Sequence, residues 1–134
     1  MLKLSEWWNH ESFTHTHVFL WWLDDHPNLY LRAKTVIADG QNLVFLSTVV
    51  IWEIQIKYAL GKLKIPTNFR KVLEQQDFKF LDITMEHVCA IGDLPLHHRD
   101  PFDRMLAAQA KVEGLTIVTR DKHLKKYKIS FINA

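Results

Sequence analysis

Strand-like and helix-like segments alternate along this chain, and the alternation restricts it to few architectures. Leu43–Leu46 is an unbroken apolar run between Gln41-Asn42 and Ser47-Thr48, the form a strand takes when both faces are covered in a parallel sheet. Leu115–Thr119, after Gly114, is a second such run, rich in β-branched residues. Between them, Ser47 or Thr48 can cap a helix that ends at Gly61, and another helix starts after Pro66 and reaches about Gln76. Phe78–Ile83 is expected as a strand and Thr84–Ile91 as a capped helix. Asp100-Pro101 opens a helix that continues to Glu113 and stops at Gly114. Upstream, the pattern gives a short strand from Phe13 to about His17, a helical turn over Val18–Leu23, a loop at Asp24-Asp25-His26-Pro27 and a helix from Asn28 to Ala38. Downstream it gives a short basic helix, Asp121–Tyr127, and a last strand, Ile129–Ile132. Right-handed strand–helix–strand crossovers then build an α/β fold, a central mainly parallel sheet with helices on both faces. Such sheets bind ligands at the carboxyl ends of their strands.

With 134 residues, 48% of them hydrophobic, the chain suffices for one domain with a real core. Residues 1–12, MLKLSEWWNHES, show neither periodicity nor capping and are expected as an irregular extension before a domain spanning 13–134. The single cysteine, Cys89, excludes an internal disulfide and a thiolate zinc site, and is read as an inert buried thiol. A reducing cytoplasm is the expected compartment. No apolar run is long enough to span a bilayer. The net charge of +2 is too mild to argue for nucleic acid alone.

Glu53 is the only charge in Val49–Ile56, beside the buried stripe of its helix, where a carboxylate must snorkel, pair with Lys57 or meet a cation. Asp100 and Asp103 bracket a helix start, where acids accept hydrogen bonds from unpaired N–H groups and face the positive end of the macrodipole. Capping accounts well for Asp100 and less completely for Asp103, which precedes the small-residue stretch Met105–Ala110. Asp121 follows a strand end and is read either as a helix cap or as a site residue. Taken together, Glu53, Asp103 and Asp121 fall on one sheet edge. Three converging acids repel one another unless a hard divalent cation such as Mg²⁺ neutralises them. A cation so held activates water and stabilises charge on a phosphoryl oxygen.

Four segments, Thr16–Trp22, Trp52-Glu53-Ile54, His98–Arg104 and Thr119-Arg120-Asp121, resemble in order and spacing the PIN-domain nucleases, in particular VapC-like toxins of type II toxin–antitoxin systems. The resemblance covers about residues 15–134. It implies a three-layer α/β/α fold and Mg²⁺- or Mn²⁺-dependent endoribonuclease activity on single-stranded or structured RNA. A cognate antitoxin that covers the site, and a homodimer, are also implied. By the same resemblance Glu53, Asp103 and Asp121 are the catalytic, metal-binding acids, Asp100 is an accessory or capping residue, and Arg120 contacts phosphate or steadies the acidic loop.

The departure lies at the start. Family members carry an aspartate at the end of an apolar first strand, immediately before the Thr-His segment. Here His15 stands in its place, and Glu11-Ser12-Phe13-Thr14 is much more polar than a buried parallel strand should be. His15 can ligate a metal as a neutral imidazole, better Mn²⁺ or Zn²⁺ than Mg²⁺, although a lone histidine is more often structural. Two functions follow: a metal-dependent endoribonuclease toxin, or a catalytically impaired module of the same fold that binds antitoxin or RNA without cleaving it. His98 and Arg99 are candidate RNA contacts against a plain solvated loop. Trp21-Trp22 is read as core or dimer packing rather than a base-stacking platform.

Overall fold

The hydroxyl of Ser47 accepts a hydrogen bond from the backbone N–H of Val49 at 3.2 Å, ending one element and starting the next. Such local signals divide the chain, described at residues 11–97 and 99–134 by a computed structural model, into five strands and six helices. The strands are β1 (Glu11–Thr14), β2 (Leu43–Ser47), β3 (Lys79–Leu81), β4 (Thr116–Thr119) and β5 (Phe131–Asn133). The helices are α1 (Thr16–Leu23), α2 (Leu31–Ala38), α3 (Thr48–Ala59), α4 (Phe69–Gln75), α5 (Met85–Ile91) and α6 (Pro101–Glu113). All pairings are parallel and the strand order is β3-β2-β1-β4-β5.

Side chains alternate across the sheet, so adjacent residues of β4 enter different layers. Ile117 joins a core formed with α3, α4 and α6, including Phe13, Leu46, Ile54 and Leu106; Val118 joins a second core with Ala33, Val36 and Ile37 of α2 and with Ile132. Helices therefore cover both faces, giving three layers. Ala107, Ala108 and Ala110 of α6 are buried in the first of these cores, and Gly114 ends the helix in the left-handed conformation, φ 66°.

Several expected boundaries move. Residues 11 and 12, assigned to the extension, belong to β1, and residues 1–10 lie outside the described residues. The polar segment Glu11–Thr14 is nonetheless the central strand, pairing with β2 through Ser12↔Val44 and with β4 through Ser12↔Thr116. Backbone pairing on both edges, together with Phe13, outweighs the unfavourable pattern. α2 starts at Leu31 rather than Asn28, the basic segment near 124 is one 3₁₀ turn (Leu124–Lys126), and β5 begins two residues late. Cys89, expected buried, is exposed. Among the described residues no helix is long and apolar enough to cross a membrane.

The polarity of β1 has a cost. The Ser12 and Thr14 hydroxyls are buried, and neither has a hydrogen-bond partner among the described residues. Valine has nearly the shape of threonine without the hydroxyl, so Thr14→Val is expected to stabilise the fold by roughly 1–2 kcal/mol. A higher urea midpoint with an unchanged slope would show it; a lower one would mean that the hydroxyl has a partner.

Candidate functional site

Parallel strands end on the same sheet edge, which brings residues distant in sequence together. His15 follows β1 directly and is the first flanking residue of α1. Its backbone is tied down at both ends, its N–H donating to Val118 O at 3.0 Å and its carbonyl accepting from Phe19 N at 3.0 Å. The side chain is thereby aimed across the edge instead of capping its own helix. Nε2 lies 2.7 Å from Asp103 Oδ1 and Nδ1 lies 3.0 Å from Thr119 Oγ1.

A carboxylate only accepts, so Nε2 donates to Asp103. Thr119 Oγ1 already accepts from the Asp121 backbone N–H at 2.9 Å, and its own proton is available to Nδ1. One hydrogen-bonded chain therefore joins the end of β4, the end of β1 and the first turn of α6.

Glu53 is held from two sides. Thr16 Oγ1 donates to its Oε1 at 2.6 Å, and Lys57, one turn along α3, reaches its Oε2 at 2.7 Å. The pairing with Lys57 and the buried position coexist: Glu53 and Asp103 are each 6% exposed. Asp100 caps α6, accepting from Phe102 N at 2.9 Å and Asp103 N at 3.1 Å. Asp121 caps the 3₁₀ turn, accepting from His123 N at 2.7 Å and Leu124 N at 3.3 Å. Both capping readings are thus realised, and Glu53, Asp100, Asp103 and Asp121 still line one cleft of about 240 Å³ with His15, Thr16, His17, Leu20 and Lys57.

Other candidates lie elsewhere. The Arg120 guanidinium sits 3.9 Å from the Tyr30 ring centroid and 4.7 Å from that of Trp21, and donates to the backbone carbonyls of Ala134 and Asn28. These contacts hold Arg120 against Tyr30, Trp21 and two backbone carbonyls, in line with the loop-steadying alternative. Trp22 meets Phe78 edge-on and Trp21 meets His17 likewise, as expected of packing residues. Arg99 is exposed and does not line the cleft, and His98 lies outside the described residues.

Thr16, Thr119 and His17 are the cleft-edge residues that sequence reasoning did not single out. For His17 the signals were its place in the Thr16–Trp22 segment and two residues after His15, and neither gave it a role. Its ring meets His15 edge-on at 4.6 Å. Burial, then the neighbouring His15, lowers its pKa from 6.5 to about 4, with Asp121 opposing and Arg120 assisting. The folded chain keeps His17 neutral where the unfolded chain would protonate it. Its contribution is fully present above about pH 6.5 and is lost as pH falls towards 4. Urea midpoints measured across that window are expected to fall less for His17→Gln than for the unaltered chain; parallel curves would contradict the shift.

The acids present suit a hard divalent cation by type but not by disposition. Asp103 is engaged by His15 and Glu53 by Thr16 and Lys57. Among the described residues no group of three or more His, Cys, Asp or Glu side chains is placed to hold a metal ion. As arranged, the residues do not fit one.

A wholly parallel sheet in the order 3-2-1-4-5, with carboxylates gathered where its strands end, defines an α/β protein with an acidic strand-end site. The family model for the PIN domain matches residues 13–129, and the chain belongs to that family, whose members are generally nucleases that use divalent metal ions. Among solved structures, VapBC2 from Rickettsia felis bound to a promoter DNA fragment is 20% identical, with a TM-score of 0.71 over 92% of this chain and 98% of that one. DNA-bound VapBC from Salmonella typhimurium is 17% identical, with a TM-score of 0.65 over 92% and 97%. FitAcB from Neisseria gonorrhoeae is 19% identical, with a TM-score of 0.60 over 90% and 96%. No curated protein matches the sequence significantly.

Proposed function

We propose that this chain is a toxin-type PIN module of a toxin–antitoxin pair, related in role to VapC, in which RNA hydrolysis is attenuated while binding of the antitoxin persists. One observation carries the reading: the imidazole of His15, standing where the family has a carboxylate, lies 2.7 Å from Asp103 and occupies the acid that should serve hydrolysis. Among the described residues that line the cleft, Lys57 supplies the one lysine or arginine cation against Glu53, Asp100, Asp103 and Asp121. That surplus repels a phosphodiester backbone and suits a cationic side chain of a protein partner. His15, Thr119 and Thr16 orient the acids; Asp100 and Asp121 shape the rim through their caps.

A second reading is favoured by the common cleft itself. Glu53, Asp103 and Asp121 face one space, as a metal-dependent endoribonuclease using Mg²⁺ or Mn²⁺ requires. Incubating the purified chain with a mixed single-stranded and structured RNA panel, in Mg²⁺, Mn²⁺ or EDTA and beside Asp103→Asn, separates the two. Little or no metal-dependent cutting is expected from the unaltered chain. Robust cutting that EDTA and Asp103→Asn abolish would establish the second reading in its place.

A further inference from the structure

We infer that the His15 imidazole takes over the cross-linking role of a metal, so that this acidic edge is held together by hydrogen bonds and is indifferent to divalent cations. A bound cation in such a cleft does two structural things: it offsets repulsion between carboxylates, and it ties together the elements that end there. Both tasks are already done. The run from Asp121 N–H to Thr119 Oγ1, from the Thr119 hydroxyl to His15 Nδ1, and from Nε2–H to Asp103 Oδ1 spans the ends of β4 and β1 and the first turn of α6, with links of 2.9, 3.0 and 2.7 Å. Each group in it donates or accepts as its chemistry allows.

Burial makes the run consequential. His15 is 5% exposed, Asp103 6% and Thr119 fully covered, so water cannot replace its bonds cheaply. The other buried acid is satisfied separately, since both oxygens of Glu53 are taken, by Thr16 and Lys57. An incoming cation would have to break these bonds before it gained Asp103 Oδ1 or either oxygen of Glu53 as a ligand. The inference rests on this geometry and holds whatever macromolecule the cleft meets, so its readout is thermal unfolding and its outcome is independent of RNA cleavage.

Unfolding of the full chain is followed in EDTA and in rising Mg²⁺ or Mn²⁺, with Mn²⁺ binding read in parallel by its electron paramagnetic resonance signal. The unaltered chain is expected to melt at the same temperature throughout and to leave Mn²⁺ free. His15→Asp is expected to melt lower in EDTA, by on the order of 5–10 °C, and to recover as Mn²⁺ is added, because binding to the folded state raises its stability. Thr119→Val, which removes only the hydroxyl link, is expected to melt lower by the same amount with and without metal. It decides the matter should His15→Asp not fold. Metal-dependent stabilisation of the unaltered chain, a His15→Asp variant that melts like it in EDTA, or a Thr119→Val variant of unchanged stability would each overturn the inference.

Discussion

Replacing His15 with aspartate is expected to raise RNA cleavage in Mg²⁺ or Mn²⁺ at least about 100-fold, equivalent to roughly 2.7 kcal/mol of barrier, and adding Asp103→Asn should abolish the gain. The substitution acts twice. It removes the ring that engages Asp103 at 2.7 Å and returns a carboxylate to the end of β1, beside the space that Glu53, Asp103 and Asp121 already face. A carboxylate there cannot donate to Asp103, so the edge no longer satisfies itself. Initial rates on a short fluorogenic RNA, compared with the unaltered chain and the double variant, measure the effect. Equal rates would show that His15 is not what limits hydrolysis.

The second large effect is structural. Phe13→Ala is expected to destabilise the fold by about 3–5 kcal/mol, a loss of the size seen when a fully buried aromatic side chain leaves a cavity. Phe13 is completely covered and packs in the larger core. The position allows little relaxation, because β1 is hydrogen-bonded along both edges. Domains of this kind are stable by about 5–15 kcal/mol in total, so the variant would lie near the limit of folding. Urea titration monitored by circular dichroism gives the number; a loss below about 1 kcal/mol would mean that the core closes over the gap.

Legibility of the fold followed the strength of local signals. β2 was readable from Leu43–Leu46 because a strand covered on both faces is apolar throughout, and α6 because Asp100-Pro101 and Gly114 mark its two ends. β1 was obscured because a short central strand takes its stability from partners at residues 43–45 and 116–118, which no local window contains. The same limit applies at the cleft. Its four acids were nameable one by one, and capping was foreseen as the better account of Asp100 and as one of two for Asp121. The link between His15 and Asp103 joins positions 88 residues apart, and nothing near either predicts it. For Arg120 nothing local chose between a phosphate contact and steadying the loop, because Tyr30 and Trp21, which flank its guanidinium, are distant in sequence.

The central place of β1 also bears on how the molecule is made. Its β2 edge can close once α1 and α2 have formed, but its β4 edge must wait until residues 116–118 exist and the further intervening helices have packed. The His15–Thr119 contact, 104 residues apart in sequence, is therefore expected to form late in folding. Contacts absent from the transition state govern how fast a protein comes apart rather than how fast it forms. Substitutions at His15 should accordingly leave the refolding rate nearly unchanged and shorten the lifetime of the native state.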